Sequence, residues 1–326
     1  MQQRPVVAVT RRLPATVMEA LARRFTLHTP PVDDAPPAPG VLANLLRDCD
    51  AVLCTVTDAI GRETIEAGPV RTRILANFGA GTNHIDVEAA RQAGIAVTNT
   101  PDQLTETTAD LTMALMLMTL RRLGEGERIL RAGRWAGWRP TDFLGHDLHG
   151  RRLGLVGFGR IGQAVARRAA LGFGMRVVAV GRHGPPSAAM PSYVAAARGL
   201  DEMLGDVEVV SLHLPASAET RHLFNRERLV RMRPGAWLIN TARGSVVDEE
   251  ALADAVATGH LAGAGLDVFE EEPQVHPQLL DLPGVVLLPH MGSATVAARE
   301  AMGMRAVANL EAFFSGQPLL DPVVVP

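Results

Sequence analysis

The sequence contains no lysine, and all 32 of its basic residues are arginine. A lysine Schiff base is therefore excluded as a catalytic device. The Walker P-loop is excluded for the same reason, because its motif requires a Gly-Lys pair. A genome that favours arginine codons accounts for the absence, and the chemical exclusion holds whatever the cause.

Cysteine, long apolar runs and strong charge of either sign are also scarce. Cys49 and Cys54 are the only cysteines, so no disulfide framework is implied, and Cys54 in the run AVLC is expected to be a buried free thiol. The most apolar helical stretch, residues 111–120, is too short to cross a bilayer, and the N-terminal MQQRPVVAVTRR has no secretory hydrophobic region. A net charge of −3 argues against a nucleic-acid surface. We expect a soluble cytoplasmic protein without membrane, nucleic-acid or metal partners.

The sequence does contain a regular alternation of short apolar strands and helical patterns. VVAVTR, PATVMEALARRF, DAVLCTV and RILANFG follow one another, and HIDVEAARQAG precedes IAVTNT. This alternation predicts a parallel α/β sheet. A chain of 326 residues that is 47% hydrophobic is long enough for two such domains.

A glycine motif lies in the middle of the chain. Gly157, Gly159 and Gly162 in LGLVGFGRIG follow an apolar strand and precede the helical pattern QAVARRAALG. In this spacing the first glycine allows a tight turn, the second lets the backbone approach a pyrophosphate, and the third lets the helix pack close to the strand. The motif therefore predicts a dinucleotide domain. Its six strands are expected near residues 153–157, 175–180, 207–212, 236–241, 262–267 and 285–288.

The position of this motif predicts that the dinucleotide domain interrupts another domain. The pattern from Thr105 predicts two helices, and the amphipathic segment from Ala294 to Phe314 is expected to return to the first domain. We therefore predict an α/β protein with two Rossmann-like, doubly wound parallel-sheet domains. The cofactor domain, residues 101–292, is inserted into a discontinuous substrate domain formed by residues 1–100 and 293–326.

Polar residues follow three of the predicted strands. Arg243 follows AWLINTA, Asp267 ends AGAGLD with Glu272 in the loop behind it, and His290 ends GVVLLPH. The carboxyl ends of parallel strands meet at the crevice that the glycine turn also faces. Hydride transfer to a carbonyl needs a proton donor and a cation for a substrate carboxylate, which His290 and Arg243 supply. A carboxylate such as Glu272 orients the imidazole and favours its charged form.

Each of these residues also has a structural interpretation. Arg243 would then be a surface charge, Glu272 a solvated glutamate of FEEEP, and His290 a strand-end histidine. Their coincidence on strand ends beside a dinucleotide turn favours the catalytic interpretation.

The segments LGLVGFGRIGQAVAR, LINTARGSVVDEEAL, GLDVFEEEP and LLPHMGSAT resemble the D-2-hydroxyacid dehydrogenase family, and the resemblance extends over essentially the whole chain. FGAGTNHIDV, TPDQLTETTAD and RWAGWRP resemble its glyoxylate/hydroxypyruvate reductase branch. The resemblance implies reduction of glyoxylate to glycolate and of hydroxypyruvate to D-glycerate in a homodimer. It also implies that Arg243, Glu272 and His290 are the catalytic arginine, glutamate and histidine.

The same resemblance implies further contacts. The backbone N–H groups of Ala80 and Gly81 match the loop that holds the substrate carboxylate. Trp138 matches an aromatic residue that reaches toward the partner subunit's active site, and a plain interface anchor is the alternative. Besides the three glycines of the turn, the implied cofactor contacts are Thr108, Arg160, Ile161, His213, Thr241, Asp267 and Gly292.

The choice of cofactor depends on the residues after the second strand, RVVAV. An NAD enzyme places an acid about 20 residues past the glycines to bind the ribose 2′-hydroxyl. This chain has Gly181-Arg182-His183 there. Glycine removes the repulsion of a 2′-phosphate and Arg182 offers it a bidentate partner, a surface arginine being the alternative. We expect NADPH as the cofactor, with weaker use of NADH.

Other functions on the same fold are less favoured. Formate dehydrogenases carry glutamine in place of Glu272, phosphite dehydrogenases use a lysine that this chain lacks, and a phosphoglycerate dehydrogenase would usually show an acid after the second strand. Reduction of 2-ketogluconate or another D-2-hydroxyacid reaction stays open, because the sequence does not give the size of the substrate pocket. The alternative of another class is a dinucleotide-sensing binding protein resembling the transcriptional corepressors, which the lack of a basic patch or disordered tail disfavours.

Overall fold

The computed structural model describes residues 4–29, 35–181, 184–186 and 190–324. The chain divides into two compact units, the first formed by Met1–Leu104 with Ser293–Pro326 and the second by Thr105–Gly292. The first unit thus contains both ends of the chain, and the second is its continuous middle part. Each unit is built around a parallel sheet.

The first unit has a five-stranded sheet in the order β2-β1-β3-β4-β5. Its strands are β1 (Val6–Val9), β2 (Thr26–His28), β3 (Ala51–Thr55), β4 (Ile74–Phe78) and β5 (Ala96–Thr98). Its helices are α1 (Ala15–Arg24), α2 (Pro39–Asp48), α3 (Arg62–Glu66), α4 (Val87–Gln92) and α12 (Val296–Phe314).

Both faces of this sheet are covered by helices, which is why its strands are continuous apolar runs. Successive side chains of a strand point to opposite faces. Val7 and Val9 accordingly pack in one buried cluster with residues of α1 and α12. Ala8 packs in the other cluster with residues of α2, α3 and α4. The C-terminal helix α12 therefore completes one layer of the first unit.

The second unit has a seven-stranded parallel sheet in the order β12-β11-β10-β9-β6-β7-β8. Its strands are β6 (Arg152–Val156), β7 (Arg176–Val180), β8 (Val194–Ala196), β9 (Val209–Leu212), β10 (Trp237–Asn240), β11 (Gly263–Leu266) and β12 (Val285–Leu287). Its helices are α5 (Thr105–Leu120), α6 (Leu123–Arg131), α7 (Arg160–Arg167), α8 (Leu200–Leu204), α9 (Arg226–Arg231), α10 (Glu249–Ala257) and α11 (Pro277–Asp281).

Helices again cover both faces of the larger sheet. Leu153 and Leu155 of β6 pack with residues of α5 and α7 on one face. Val156 packs on the other face with residues of α8, α9, α10 and α11. The strand order reverses between β6 and β9, so the carboxyl edge at this pair is the place where doubly wound sheets bind ligands.

The predicted fold class is confirmed: two doubly wound α/β sheets, the second formed by a segment that interrupts the first. The pattern from Thr105 forms two helices, α5 and α6, as predicted. The sheet of the second unit has one strand more than the six expected. The extra strand, β8, is a three-residue edge strand of sequence VAA. Such a short alanine-rich segment gives little strand signal, because alanine is depleted in strands. Among the described residues no helix is both long and apolar enough to cross a membrane.

Candidate active site

The polar residues predicted to follow the strands of the second unit lie along one edge of its sheet. Strands β12, β11 and β10 are neighbours in that sheet. His290 comes three residues after β12, Asp267 directly after β11, and Arg243 three residues after β10. The glycine turn follows β6, further along the same carboxyl edge. The sheet therefore brings the predicted catalytic residues and the glycine turn to one edge.

His290 and Glu272 form a hydrogen-bonded pair. Nδ1 of His290 lies 2.7 Å from Oε2 of Glu272, and the side chains are 34% and 27% exposed, respectively. The other carboxylate oxygen of Glu272 accepts a hydrogen bond from the Phe269 amide at 3.1 Å. Because Glu272 occupies Nδ1, the opposite ring nitrogen, Nε2, is the one left for chemistry.

The surroundings of Glu272 keep it ionised. Burial by itself raises the pKa of a carboxyl group. Here the hydrogen bond and charge of His290, the Phe269 amide and the charge of Arg243 outweigh burial and hold the pKa of Glu272 below its ordinary value. An ionised carboxylate accepts the Nδ1 proton, so the pair fixes both the orientation and the tautomer of the imidazole.

Arg243 is a partly desolvated cation next to this pair. Burial lowers the pKa of its guanidinium, and the charge of Glu272 raises it. Guanidinium stays charged in proteins. Its Nη1 donates to the Ala242 carbonyl at 2.7 Å. Asn240, the last residue of β10, fixes the backbone here, since its amide nitrogen donates to the Arg243 carbonyl at 2.9 Å and its oxygen accepts from the Ala242 amide at 3.0 Å.

Gly244 allows Arg243 to approach the segment that carries Glu272. A Cβ at residue 244 would lie 1.8 Å from the carbonyl carbon of Phe269 and 2.0 Å from its oxygen. Only glycine permits this contact between the chain after β10 and the chain after β11. Glycine at residue 244 is therefore a geometric requirement of the site.

Asp267 holds the backbone that follows His290. The Asp267 side chain is fully buried. Its Oδ1 accepts from the Met291 amide at 2.6 Å and its Oδ2 from the Gly292 amide at 2.8 Å. The Gly292 carbonyl accepts from the Thr108 hydroxyl at 3.0 Å. His290 itself has a left-handed backbone with φ of 52°, a conformation that costs free energy and persists where neighbours fix it.

The glycine turn has the shape that a dinucleotide pyrophosphate requires. Gly157 has φ of 96°, and a Cβ there would lie 2.5 Å from the His213 carbonyl oxygen. A Cβ at Gly162 would lie 2.4 Å from the Gly157 carbonyl oxygen. Gly159 is different, because no atom lies within 4 Å of its Cβ position. It also precedes the first residue of α7, Arg160. The first and third glycines thus serve packing, and the second leaves open space at a helix N-terminus, where an anion is stabilised.

Buried hydroxyl and imidazole groups lie between the turn and Arg243 along the edge. The Thr241 hydroxyl lies 2.8 Å from that of Thr112. His213 follows β9, and its Nε2 lies 2.9 Å from the Ser211 hydroxyl. Burial lowers the pKa of His213 to about 4, so its ring is neutral at pH 7. Thr112, Ser211 and Asn240 were missed by the sequence reasoning; the available signal was a polar residue inside an otherwise apolar segment.

The residues assigned to cofactor choice are only partly within the described structure. Arg182 and His183 lie outside the described residues. Gly181 and Gly184 on either side of them are joined, since the Gly181 amide donates to the Gly184 carbonyl at 2.7 Å. A Cβ at Gly181 would lie 3.2 Å from the Gly184 oxygen and 3.3 Å from Pro186 Cα. The space for a side chain at residue 181 is therefore restricted.

The loop with Ala80 and Gly81 belongs to the first unit and follows β4. Buried Asn77 donates to the carbonyls of Gly79 at 3.0 Å and Gly81 at 2.8 Å. Asn99 donates to the Ala80 carbonyl at 2.7 Å. In a trans peptide the following N–H points opposite to the carbonyl. The amides of Ala80 and Gly81 therefore point away from the asparagines that hold the loop.

Trp138 lies in a segment without helix or strand, and its side chain is 81% exposed. Its assignment to a partner subunit stays a prediction. Within the described ranges, no group of three or more His, Cys, Asp or Glu residues is arranged to hold a metal ion. Cys49 and Cys54 are both buried free thiols, as expected for Cys54.

A doubly wound sheet with this glycine turn and this His–Glu pair defines a dinucleotide-dependent dehydrogenase. A family model described as D-isomer specific 2-hydroxyacid dehydrogenase, NAD binding domain, matches residues 113–292. A glyoxylate reductase of Thermococcus onnurineus is 44% identical over 318 residues, which cover 96% of this chain and 94% of that protein. The chain belongs to the D-2-hydroxyacid dehydrogenase family, and its cofactor is a nicotinamide dinucleotide.

Two solved structures share the fold over nearly the whole chain. A protein from Thermus thermophilus is 44% identical with a TM-score of 0.89, covering 98% of this chain and 100% of that one. An NADPH-dependent glyoxylate/hydroxypyruvate reductase from Sinorhizobium meliloti, in complex with NADP and malonate, is 38% identical with a TM-score of 0.86. That match covers 99% of this chain and 97% of the other.

The half-buried imidazole of His213 predicts that the protein is sensitive to acid. Its pKa is lowered from 6.5 to about 4 by burial, so between these values the unfolded chain binds a proton that the folded chain does not. The stability contributed by the neutral ring is complete above the unfolded pKa and is lost as the pH falls toward the folded pKa. His213→Gln removes this proton uptake and keeps a polar group for Ser211.

We expect the free energy of unfolding, measured by urea denaturation, to fall less between about pH 7 and pH 4.5 in His213→Gln than in the wild type. His28 is exposed, so His28→Gln serves as the control and should follow the wild-type slope. Equal slopes for all three proteins would contradict a neutral buried ring.

Proposed function

We propose that this protein is an NADPH-dependent reductase of small 2-keto acids, converting glyoxylate to glycolate and hydroxypyruvate to D-glycerate. The observation that carries the proposal is the 2.7 Å contact between His290 and Glu272 on the sheet edge that also carries Arg243 and the glycine turn. The names of the relatives support the substrate class, since they are glyoxylate and hydroxypyruvate reductases.

His290 is the proton donor in this proposal. Glu272 holds Nδ1 at 2.7 Å, so Nε2 presents a proton toward the keto oxygen of the substrate. Reduction makes that oxygen an alkoxide, and the proton from Nε2 neutralises it. The Glu272 carboxylate stabilises the imidazolium before transfer and orients the ring throughout.

Arg243 is proposed to bind the substrate carboxylate. The guanidinium is desolvated and carries its charge, and a desolvated charge-assisted hydrogen bond to a carboxylate is stronger than one in water. The amides of Ala80 and Gly81 are proposed as further donors. The carbonyls opposite these two N–H groups, those of Gly79 and Ala80, are held by Asn77 and Asn99. Fixing the carboxylate fixes the keto carbon, which is the positioning that this reaction needs.

The cofactor would be held by the residues of the sheet edge. Gly159 and the N-terminus of α7 would hold the pyrophosphate, and Gly157 and Gly162 allow the close packing that shapes this turn. Contacts are also proposed for Thr108, Arg160, Ile161, Gly181, Arg182, His213, Thr241, Asp267 and Gly292. A reduced nicotinamide bound there supplies the hydride that the keto carbon receives. Preference for NADPH rests on Gly181 and Arg182, which replace the acid of NAD-binding sites.

Simple measurements test two alternatives. Reduction of 2-ketogluconate or another D-2-hydroxyacid reaction would appear in a panel of keto acids with NADPH and NADH. A dinucleotide-sensing binding protein would bind NADPH without turnover. Exposed Trp138 is proposed as an anchor of a homodimer, in which it would approach the partner subunit's active site.

The first prediction of this proposal concerns the proton donor. His290→Ala removes the general acid, so turnover of glyoxylate should fall by at least about a hundredfold, the usual scale of such a loss. Binding of NADPH, measured by fluorescence titration, should stay close to wild type, because the glycine turn is untouched. His260→Gln is the control, since His260 Nε2 lies 3.2 Å from the Leu229 carbonyl and has no assigned role. Near-normal turnover of His290→Ala would disprove the assignment.

The second prediction concerns the 2′-phosphate. A lost charge-assisted pair costs about 1.5–3 kcal/mol, so Arg182→Ala should weaken NADPH by about tenfold to a hundredfold and leave NADH nearly unchanged. Arg176→Ala is the matched control, because Arg176 is an exposed arginine at the other end of β7. Equal weakening of both cofactors, or a wild-type kcat/KM that favours NADH, would show that Arg182 is a surface arginine. The tight space at Gly181 makes Arg182 the cleaner position to change.

A further inference from the structure

Glu249 is a buried carboxylate that the proposed reaction does not use. It is the first residue of α10, and only 7% of its surface is exposed. A glutamate is almost never this buried without a partner. Its neighbour Glu250 belongs to the same helix and is exposed. The position of Glu249 at a helix N-terminus does not by itself explain why this side chain is buried.

The partners of Glu249 lie in the loop that carries Glu272. Its Oε1 accepts a hydrogen bond from the Glu270 amide at 2.7 Å. The backbone of His276 also faces this carboxylate and lowers its pKa. Residues 270 and 276 are the two ends of the segment around Glu272, so one carboxylate from α10 faces both ends.

Between these two ends the chain makes an exposed turn. The Gln274 amide donates to the Glu271 carbonyl at 2.9 Å, which closes the turn with Glu272 inside it. The Glu270 side chain adds a second attachment, since its Oε1 lies 2.7 Å from His222 Nε2 and 2.8 Å from Arg221 Nη2. Val275 packs against the core below.

We infer that Glu249 is a positioning residue for the reaction: by holding the amides of Glu270 and His276 it sets the place of Glu272 against His290. It acts through Glu272 and touches neither substrate nor cofactor. The expected effect on turnover rests on the proposed function. The attachment of the loop to Glu249 does not, because it is a property of the fold.

A carboxylate at residue 249 is suited to holding two backbone amides of the loop. Burial raises the pKa of Glu249, and the backbone amides of Glu270 and His276 offset only part of that rise. A carboxylate accepts two N–H donors, whereas glutamine offers one oxygen and turns an N–H₂ group toward the second amide. Glu249→Gln therefore keeps one attachment and breaks the other without a change of volume.

The test compares Glu249→Gln with Glu250→Gln, which makes the same chemical change one residue away on an exposed side chain. In Glu249→Gln we expect kcat for glyoxylate to fall by about tenfold or more, the scale of a small displacement of a catalytic group. KM for glyoxylate and the affinity for NADPH should stay within about twofold, because Arg243 and the glycine turn are unchanged. Glu250→Gln should match the wild type, and Glu249→Asp, which keeps both oxygens, should recover part of the loss.

Hydrogen–deuterium exchange provides a readout that does not depend on activity. Exchange of residues 270–276 should rise in Glu249→Gln while exchange of residues 157–162 stays at the wild-type rate. Unchanged kcat with unchanged exchange would overturn the inference, and so would a parallel loss of kcat, NADPH affinity and protection throughout the second unit. If the wild type itself fails to reduce glyoxylate, the proposed function is wrong, and the exchange measurement still decides whether Glu249 holds the loop.

Discussion

The hydrogen bond between His290 Nδ1 and Glu272 Oε2, at 2.7 Å, is the interaction on which the site depends. It leaves Nε2 as the imidazole nitrogen that Glu272 does not occupy, and it keeps a carboxylate charged in a partly buried place. Neither residue is in a strand or helix, so their separation is not fixed by the sheet alone. It is fixed by the backbone on either side of them.

Three devices supply that backbone control. Asp267 accepts the amides of Met291 and Gly292 and so holds the chain that follows His290. Gly244 lets the Arg243 segment pass against Phe269, where a Cβ would lie 1.8 Å from the carbonyl carbon. Glu249 holds the loop that carries Glu272. Each of these contacts uses a buried polar group or a glycine instead of an ordinary apolar core residue, which is the kind of local conflict expected at functional sites.

The packed sheet of the second unit fixes the positions of the loops that carry the site residues. Helices cover both faces of the seven strands, and the core residues on each face are fully or nearly fully buried. The carboxyl ends of β6 and β9 to β12 thus form a fixed row on which short loops are placed. The same row carries the glycine turn, so one sheet determines both the place of that turn and the place of His290.

Much of this could be predicted from the sequence, because the strongest signals are local. Gly157, Gly159 and Gly162 predicted the turn, and apolar runs followed by Arg243, Asp267 and His290 predicted strand ends that meet at one edge. The edge strand β8 was missed because three residues of VAA carry almost no pattern.

Tertiary partners were harder to predict. Thr112 was missed because its hydroxyl bonds to that of Thr241, 129 positions further along the chain. Glu249 was invisible for a related reason: in the string DEEAL nothing distinguishes the buried glutamate from the exposed one that follows it. Burial of a charged side chain and its bonds to residues about 20 positions away are consequences of packing, not of local sequence.

The central claim is that Glu272 acts through His290, and a double-mutant cycle on turnover tests it most directly. Glyoxylate reduction with NADPH is measured for the wild type, Glu272→Gln, His290→Gln and the double variant. Because residues that act as one unit are strongly non-additive, Glu272→Gln should lower kcat in the wild-type background and have almost no effect in the His290→Gln background. If the two losses multiply, the residues contribute independently and the pair is not the proton-donating unit of this enzyme.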